Sequence, residues 1–456
     1  MALQYVSRQC LRREVLHLLF SFALNSGWTQ MYAPQSEILE YAERLCDEND
    51  LRSRIICNTD VRSYEYNDTE AMWSVTTSDN TVYSANVLVD ATGVLHIPKV
   101  PDIEGRSRFT GPVFHSAEWD HSIDLSGKRV AIVGTGASAI QILPELSKYA
   151  ARVDVFQRTP QWVLPRANRP IRSVERAMFR RLPLSQKFQR YLNYWIHEIV
   201  VVAFFHPSLM KIFEVVSKRF LARQVADPGL RRSLTPDYRA GCKRFLITSD
   251  WYPALQRPNV ELVGDSIAEF VETGIRTADG TVHDLDAVVY CTGFRTDKRI
   301  ALDYVKGRDG ALLSEVWQDG MEAHLGTTVA GFPNFFLMMG PNSGSGHQSI
   351  LFAIEVQARY IVKCVEMMNR NRWRAIEIKA DVQKGFNKFV RSRLAGSVWN
   401  RGGCTSWFLD ESGENRQVWP GWSVSYWRQM RRPVEQHFAV ASESLQGSSA
   451  AELLGR

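Results

Sequence analysis

The sequence predicts an α/β fold built on parallel sheets, and three observations predict it. Arg129–Val133 and Arg152–Phe156 have the apolar, β-branched composition of buried strands, and Ala137–Leu146 between them has the pattern of a helix. A strand, a helix and a second strand in this order form a βαβ unit, whose strands run parallel. The strand patterns that end at Asp90 and Cys291 both continue into Thr-Gly. We therefore expect two nucleotide-binding, Rossmann-like domains that end their last strands in the same way.

The other elements follow from local patterns along the chain. A helix is expected over Gln35–Asn49, where apolar residues recur at helical spacing and Ser36 stands at the N-cap position. Residues 166–240 are mostly helical in pattern and interrupt the second nucleotide-binding domain. The Ser- and Ala-rich stretch Ser442–Ala451 is expected to be disordered. The remaining strands are expected at Ile55–Cys57, Trp73–Thr77, Thr81–Tyr83, Asn86–Asp90, Val260–Val263 and Ala287–Cys291.

Length and composition limit the class of protein. A chain of 456 residues exceeds one ordinary core and predicts two or three domains. The net charge is +6, but no run of like charges resembles a nucleic-acid-binding tail, so no nucleic-acid partner is expected. The seven cysteines are scattered without a Cys-x-x-Cys pair. This argues against a metal site and against a disulfide framework, and it favours a reducing, cytoplasmic location.

Two regions bear on contact with a membrane. The basic stretch Arg166–Arg190 has apolar residues at roughly helical spacing and is interpreted as a solvated amphipathic helix. The apolar run Tyr191–Phe205 contains His197 and Glu198 and is too short to span a bilayer. It is expected to form a buried or ligand-facing helix, without stable membrane insertion.

A glycine-rich turn joins the first strand and the helix of the βαβ unit. Gly134, Gly136 and Ala139 form Gly-x-Gly-x-x-Ala in the strand-to-helix context of dinucleotide sites. Gly134 permits the tight turn, Gly136 lets a pyrophosphate approach the backbone, and Ala139 lets the helix and strand pack closely. The helix N-terminus offers free N–H groups to phosphate oxygens. The expected cofactor-binding residues here are Gly134, Thr135, Gly136, Ala137, Ser138, Ala139 and Gln141.

The end of the second strand selects the dinucleotide. An NAD site places Asp or Glu there to accept the ribose 2′-hydroxyl, but this strand continues into Gln157, Arg158 and Thr159. Asp154 lies inside the strand and is a poor candidate for that role. The forked cation of Arg158 and the hydroxyl of Thr159 suit a 2′-phosphate, so NADP is favoured. A surface arginine without a ligand contact is the alternative.

A second motif, which precedes the glycine turn, carries a family resemblance. Phe109, Gly111, His115 and Trp119 hold the spacing Phe-x-Gly-x-x-x-His-x-x-x-Trp and are followed by Asp120. The pattern resembles the fingerprint of the Baeyer–Villiger monooxygenases, flavoproteins that insert an oxygen atom beside a ketone. The resemblance runs from about residue 21 to about residue 429. It implies FAD and NADP as cofactors, a small-molecule ketone and O₂ as substrates, and a hinge or signalling role for His115 between the two nucleotide-binding domains.

The resemblance also implies roles for residues further along the chain. By position, Lys243 would be a second cation at the NADP 2′-phosphate. Arg244 would be the catalytic guanidinium beside the flavin, where it holds negative charge that develops during oxygenation. The loop from residue 331 to residue 349 resembles the segment that closes over the flavin. The remaining implied cofactor contacts are those of Ala91, Thr92, Gly93, Gly340, Asn342 and Trp407.

The same resemblance predicts the domain division and a gap in it. Relatives begin with their own Gly-x-Gly-x-x-Gly for the FAD pyrophosphate, which this sequence lacks. The FAD-binding domain is therefore expected to be incomplete at its N-terminus and to hold FAD weakly. A truncated or mis-spliced form of a full enzyme and a genuinely shortened protein are the two explanations. The expected segments are residues 1–125 and 296–456 for the FAD-binding domain with the C-terminal region, 126–165 and 241–295 for the NADP-binding domain, and 166–240 for a helical insertion.

The expected function is an NADPH- and O₂-dependent flavin monooxygenase that converts a ketone to an ester or lactone. An N- or S-oxidising flavin monooxygenase and a flavin-deficient NADP-binding protein are the alternatives, and Trp119 with Asp120 favours the Baeyer–Villiger type. Five aromatic residues of the insertion are interpreted either as the lining of a pocket for a bulky, flat ketone of secondary metabolism or as a helical core: Tyr191, Tyr194, Trp195, Phe204 and Phe205. The sequence indicates no oligomeric state.

Overall fold

The computed structural model describes Val15, residues 19–296 and residues 303–442, and it confirms the α/β fold. Its α-helices are α1 Gln35–Glu48, α2 Ala139–Leu146, α3 Ser173–Arg181, α4 Pro183–Phe205, α5 Met210–Gln224, α6 Pro228–Ser233, α7 Trp251–Leu255, α8 Leu313–Val316, α9 Ile350–Asn371, α10 Ala380–Leu394, α11 Val398–Arg401 and α12 Ser423–Gln429. Its strands are β1 Val61–Asn67, β2 Met72–Thr77, β3 Val82–Ala85, β4 Leu88–Asp90, β5 Val113–His115, β6 Arg129–Val133, β7 Arg152–Phe156, β8 Val163–Leu164, β9 Leu246–Ile247, β10 Val260–Val263, β11 Ile267–Val271, β12 Gly274–Thr277, β13 Val282–Asp284, β14 Ala287–Tyr290, β15 Val305–Lys306, β16 Phe335–Leu337, β17 Trp373–Ile378 and β18 Phe438–Ser442.

The centre of the fold is a five-stranded sheet of the order β10-β7-β6-β14-β5, which is parallel throughout. Alternate side chains of β6 enter two different cores. Val130 and Ile132 pack with α2 and α7, whereas Ala131 and Val133 pack with the small meander β11-β12-β13. Burial on both faces explains why β6 is apolar along its whole length, and β6 and β7 have the predicted bounds.

The strand order indicates where a ligand crevice lies. β7 lies on one side of β6 and β14 lies on the other, so the chain connections diverge at β6. In open parallel sheets the crevice beyond the carboxyl ends of the strands at such a point is where ligands bind. The turn after Val133 and the segment after Tyr290 both lie at this edge.

A second parallel pair, β4 and β16, aligns Asp90 with Leu337. Beside it, the sheet β15-β1-β2-β3 contributes Trp73 to a core shared with Phe335, and the Trp73 indole donates to the Pro333 carbonyl oxygen at 2.8 Å. The hairpin of β2 and β3 confirms the predicted strands near Trp73 and Tyr83. Thus the predicted last strand of the first half, at Asp90, lies in a parallel sheet, as the last strand of the second half does.

Residues 166–240 contain the helices α3 to α6, in agreement with their mostly helical pattern. The basic stretch Arg166–Arg190 forms α3 and the start of α4, and most of its apolar pattern is solvated. Phe179 is buried, but Val174, Met178 and Leu184 are exposed. The apolar run after Tyr191 belongs to the 23-residue helix α4, which buries only one side.

Three sequence-based expectations differ from the structure. Ile55–Cys57 forms no strand, and Ile55 and Ile56 are exposed, because no neighbouring strand pairs with them. α1 begins at Gln35 after Pro34, so Ser36 lies inside the helix and is not its N-cap. The domain boundary expected at residue 125 falls too late, because β5 hydrogen-bonds to β14 in the five-stranded sheet. The expectations for residues 1–14 and for residues 443–451 lie outside the described residues.

Candidate active site and cofactor cleft

The glycine turn has the geometry that a phosphate site needs. Gly134 has a φ of +109°, and a Cβ placed on it would lie 2.7 Å from the Cys291 carbonyl oxygen. Only glycine therefore fits between β6 and the end of β14. At Gly136 the nearest atom to such a Cβ is 4.0 Å away, so the space above the turn is open. Ala139 is fully buried against the sheet, as its role in close helix–strand packing requires.

The hydrogen bonds of the turn leave two of its backbone donors, those of Ala137 and Ser138, free. Thr135 Oγ1 donates to the Thr159 carbonyl oxygen at 3.1 Å, and Gln141 Nε2 donates to the Ala137 carbonyl oxygen at 2.7 Å. Ser138 precedes α2 without a side-chain capping bond. Within the described residues, no acceptor is paired with the N–H groups of Ala137 and Ser138. Free N–H groups at a helix N-terminus attract phosphate oxygens.

Two cations converge beside this turn. Burial lowers the pKa of Lys243, the positive charge of Arg158 lowers it further, and Asp237 acts in the opposite direction. Lys243 Nζ also lies 5.0 Å from the centre of the Tyr238 ring. Neither Arg158 nor Lys243 forms an ion pair with a carboxylate in the described part of the chain. Asp154 is fully buried between Arg152 Nε at 2.7 Å and His283 Nδ1 at 3.2 Å, so it cannot reach a ribose.

The convergence has a local structural cause. The Trp162 indole donates to the Tyr238 carbonyl oxygen at 2.9 Å, and the Tyr238 hydroxyl donates to the Pro160 carbonyl oxygen at 3.0 Å. The parallel pair β8 and β9 then continues this contact, with Leu246 N donating to the Trp162 carbonyl oxygen at 3.0 Å. These bonds lay the segment from 238 to 247 along the segment from 160 to 164, which brings Lys243 to Arg158.

Arg244 is the next residue and has a different environment. Its side chain reaches solvent, yet the surrounding protein removes enough water to lower the pKa of its guanidinium. Among residues 19–296 and 303–442 it has no hydrogen-bond acceptor and no carboxylate partner. An arginine remains charged even with a lowered pKa. The structure therefore holds a partly desolvated positive charge with N–H donors that no described residue engages.

A disulfide corrects the sequence-based expectation about cysteines. The sulfur atoms of Cys242 and Cys404 are bonded, with their Cα atoms 6.2 Å apart, although 162 residues separate them in sequence. The bond ties the Lys243 segment to the segment that carries Trp407. Sequence spacing did not indicate the pair, but each cysteine lies within three residues of a motif assigned to a cofactor, and that proximity was the available signal.

Trp407 lies at the rim of the same cleft. Its ring is partly exposed and stands 4.3 Å from the ring of Phe408. The Trp407 carbonyl oxygen accepts a bond of 3.3 Å from Thr296 Oγ1, which lies just beyond β14. The indole is thus held near the carboxyl edge of the five-stranded sheet, with its ring available for contact.

The first half of the molecule has a matching turn. Thr92 N and Thr92 Oγ1 both donate to Asp90 Oδ1, at 3.0 and 2.7 Å, which closes the turn after β4. Gly93 has a φ of +74° and Gly293 a φ of +83°, so both Thr-Gly turns adopt the left-handed conformation. Ala91 and Thr92 are exposed at the carboxyl edge of β4. The resemblance between the two turns that the sequence indicated is therefore present in the backbone.

The loop from residue 340 to residue 349 is anchored on its inner side. A Cβ on Gly340 would lie 2.4 Å from the Gly326 carbonyl oxygen, so glycine is needed for close backbone contact. Asn342 is buried, and its Nδ2 donates to the carbonyl oxygens of Asn415 at 2.8 Å and Val418 at 3.2 Å. The Asn342 amide N–H groups therefore hold the loop in place and are not available to a cofactor.

A buried polar network next to this loop was not identified from the sequence. Glu198 is fully buried and accepts hydrogen bonds from His347 Nε2 and Gln348 Nε2, both at 3.1 Å. Burial raises the pKa of Glu198, but the bonds from His347, Gln348 and Ser423 outweigh it, so the pKa lies below its ordinary value. The signal was a single carboxylate in an apolar helix, since a buried charge requires partners.

The fingerprint residues serve mainly to pack and orient β5. A Cβ on Gly111 would lie 2.6 Å from the Asp286 carbonyl oxygen, and Phe109 is buried against the five-stranded sheet. Trp119 packs edge-to-face on Phe114 at 5.2 Å. The exposed Asp120 accepts from Ser122 N at 2.9 Å and forms a local turn.

His115 is the buried member of the fingerprint. Its Nδ1 accepts from Ala117 N at 3.1 Å and its ring lies 5.7 Å from Phe294. Burial lowers its pKa, with opposing contributions from Glu118 and the Gly293 carbonyl. Nε2 makes no hydrogen bond of ordinary geometry with the described residues, although Gly293 is close. A neutral ring between β5 and the Gly293 turn fits an orienting role better than proton transfer.

The aromatic residues of α4 divide between the two interpretations. Phe204 is buried and stacks on Trp399 at 4.7 Å, and Tyr194 packs on Phe352 at 5.2 Å. Phe205 also packs on Trp399. Tyr191 and Trp195, by contrast, are exposed. The inner residues form a core that supports the loop after Gly340, and the outer two face solvent.

Comparison with known proteins identifies the family. Residues 19–310 match the model of the flavin-binding monooxygenase-like family. A Baeyer-Villiger monooxygenase of Streptomyces coelicolor is 44% identical over 416 residues, which span 91% of this chain and 80% of the relative. The solved structure of an oxidized steroid monooxygenase bound to NADP superposes with a TM-score of 0.85 and 27% identity, over 96% of this chain and 91% of that one. OTEMO in complex with FAD and NADP gives a TM-score of 0.83 and 25% identity, over 96% and 92% of the two chains. The chain therefore belongs to the flavin-binding monooxygenases of the Baeyer–Villiger type.

Proposed function

We propose that this protein is an NADPH- and O₂-dependent Baeyer–Villiger monooxygenase that converts a ketone to an ester or lactone. The observation that carries the proposal is the arrangement of three cations, Arg158, Lys243 and Arg244, on adjoining segments of the cleft without carboxylate partners in the described part of the chain. Protein surroundings partly desolvate Lys243 and Arg244, and unpaired cations in such surroundings are costly for a fold to maintain unless a ligand uses them. The names and bound cofactors of the matched relatives agree with this interpretation.

The residues at the glycine turn fit NADP. The free N–H groups of Ala137 and Ser138 and the open space at Gly136 suit the pyrophosphate, and Arg158 with Lys243 suits the 2′-phosphate. Thr159 supplies a hydroxyl at the same point. In this proposal Trp407 contacts the nicotinamide half, and the Cys242–Cys404 bond holds that contact in register with Lys243.

The second turn and loop fit a flavin. Ala91 and Thr92 are exposed beside Gly93 at the carboxyl edge of β4, and the glycines of the loop after Gly340 leave backbone that a flat ring could contact. Asn342 serves here by fixing the loop. Flavin, when bound, supplies the hydride acceptor for NADPH and the activation of O₂.

In this proposal Arg244 is the group that stabilises negative charge during oxygen insertion. Oxygen insertion places negative charge on oxygen atoms near the ketone carbonyl, and a fixed guanidinium stabilises that charge without reorganising. Because no carboxylate of the described chain neutralises Arg244, its full charge is available. Its partly desolvated position strengthens the interaction relative to water.

The domain division remains part of the proposal, with one boundary moved. We assign the strands β5 to β7, β10 and β14 to the NADP-binding domain, and the strands β4 and β16 to the FAD-binding domain. The insertion from residue 166 to residue 240 lies between the two parts of the NADP-binding domain. The buried His115 stands beside Gly293, in the turn that follows β14. At this position a movement of one nucleotide-binding domain would displace residues of the other. A place in secondary metabolism stays a prediction.

One experiment tests the proposed reaction. The purified protein with added FAD, NADPH and O₂ is offered an aliphatic ketone and, separately, a thioether, and products are identified by mass spectrometry with ¹⁸O₂. We expect an ester carrying one ¹⁸O atom and NADPH consumption that depends on the ketone. Sulfoxide formation without any ester would assign the chain to heteroatom oxidation and overturn the proposal.

A further inference from the structure

Helix α4 presents an apolar face to solvent. The exposed side chains of this face, which we call the α4 outer face, are Leu184, Phe188, Leu192, Trp195, Ile196 and Ile199. At 100° per residue they fall within a sector of about 120° on one side of the helix. Leu184, Phe188 and Ile199 expose 76%, 68% and 64% of their surface. Scattered apolar residues on a surface are ordinary, but a continuous stripe of this length marks a contact surface.

The charge around this face is strongly positive. Between residues 172 and 190 there are six Lys or Arg residues, of which Arg190 already pairs with Glu355 at 3.8 Å, and a single acidic residue. That acid, Glu175, is already paired with Arg169 at 2.8 Å. Arg180, Arg181 and Lys187 are exposed, and none of them has a carboxylate partner in residues 19–296 or 303–442. The preceding helix α3 adds Val174, which is 76% exposed.

We propose that the α4 outer face docks on an anionic lipid surface. Exposed apolar residues, tryptophan and flanking cations on one helix are the features of helices that lie in the lipid headgroup region. Docking of a second copy through the same face would bring the two positive surfaces together, which Coulomb repulsion opposes. Among the described residues no single helix is long and apolar enough to cross a membrane; α4 and the segment Pro207–Gln224 pass that test only as a pair bent by 114°.

The inner side of α4 connects this face to the candidate active site. The Tyr194 carbonyl oxygen accepts from Gln348 Nε2 at 2.7 Å, and Glu198 binds His347, so α4 supports the loop proposed to cover the flavin. A bound lipid surface would thus lie about one helix diameter, roughly 10 Å, from that loop. This part of the inference rests on the proposed function and names its substrate class: a lipophilic ketone dissolved in a bilayer.

Flotation with vesicles tests the docking without any turnover. Vesicles of 30% phosphatidylglycerol in phosphatidylcholine are mixed with the protein and recovered by density, with pure phosphatidylcholine vesicles as the comparison. We expect binding to the anionic vesicles that weakens with added salt. Phe188→Ser with Ile196→Ser should weaken it at least tenfold, and Arg180→Gln with Arg181→Gln about fivefold or more per charge. The matched control is Ile55→Ser with Ile56→Ser, since those side chains are similarly exposed elsewhere on the surface and their loss should leave binding unchanged.

The results separate the possible occupants of the face. Absence of binding at low salt, or binding that the α4 variants leave unchanged, overturns the proposal. A dimer that the Phe188→Ser, Ile196→Ser variant dissociates, without vesicle binding, assigns the face to a second copy and also overturns it. Circular dichroism should show all variants folded, because the changed side chains are exposed. Turnover of a short, water-soluble ketone tests the proposed function separately and should be equal in wild type and the α4 variants.

Discussion

Replacing Arg244 should separate oxygenation from cofactor binding and from folding. The guanidinium has no partner among the described residues and reaches solvent, so Arg244→Ala breaks no ion pair there. The free energy of unfolding should therefore stay about the same. Loss of one fixed donor at a site of developing negative charge reduces kcat about 10²–10³-fold, which corresponds to about 3–4 kcal/mol of transition-state stabilisation.

The assay follows three quantities in the same preparation. Stopped-flow absorbance reports flavin reduction by NADPH, chromatography reports ester formation, and a peroxidase-coupled assay reports hydrogen peroxide. In Arg244→Ala, flavin reduction should remain within a few-fold of wild type, because Lys243 and Arg158 are intact. Ester formation should collapse and the reducing equivalents should appear as hydrogen peroxide.

Arg244→Lys sharpens the test because it keeps a charge at the site. The surroundings that lower the pKa of Arg244 should lower that of a lysine as well, by disfavouring its charged form. The lysine variant should therefore retain some oxygenation at low pH and lose it as the pH rises through the lysine pKa. Wild type should show no such loss, since arginine stays charged throughout.

The control is Arg239→Ala, five residues upstream. Arg239 Nη1 pairs with Glu214 at 3.0 Å, so its loss should lower the free energy of unfolding by up to about 1 kcal/mol while ester formation per bound flavin persists. Near-normal ester yield in Arg244→Ala, or a loss of oxygenation equal to the loss of flavin reduction, would refute the reasoning.

Three further changes test other parts of the structure. Arg158→Ala should weaken NADPH binding about tenfold to a hundredfold and leave NADH unaffected, as measured by the KM of each; equal losses would remove Arg158 from the 2′-phosphate. Cys242→Ser or Cys404→Ser should raise the KM for NADPH, and dithiothreitol should reproduce that rise in wild type without further effect on the variants. Burial and the nearby His437 lower the pKa of His324 from 6.5 to about 4, so below pH 6.5 the unfolded chain binds a proton that the native ring does not. The free energy of unfolding should therefore fall by about 2 kcal/mol from pH 7 to pH 5, and urea titrations of His324→Gln should show a smaller fall.

Those parts of the fold that depend on local composition were predicted well. β6 and β7 begin and end at the predicted residues, because a strand buried on both faces must be apolar along its length. Ile55–Cys57 has a similar composition and forms no strand, since a strand also needs a neighbour to accept its hydrogen bonds, and composition does not report the neighbour.

The candidate site could be predicted from the sequence only where the residues that form it lie in one continuous segment. The glycine turn is contiguous, and its spacing alone indicated the open position at Gly136. The approach of Arg158 to Lys243 depends on bonds between Trp162 and Tyr238, which lie 76 residues apart. The Cys242–Cys404 bond depends on the same kind of long-range placement, so the cysteine spacing gave the wrong expectation.

Helix α4 shows that the periodicity of apolar residues does not by itself indicate what a helix face contacts. Apolar residues at helical spacing establish that one side of a helix is apolar, and the usual inference is that this side packs on the core. In α4 the core contact is made by a different set that includes Glu198 and Phe204, while the regular stripe from Leu184 to Ile199 faces outward. The inner side of the helix thus contacts the loop over the proposed flavin site, and the outer side is the one that we propose docks on a lipid surface. The outward stripe begins in the basic stretch Arg166–Arg190 and directly follows the exposed Arg180 and Arg181, and that charge makes an anionic surface its expected partner.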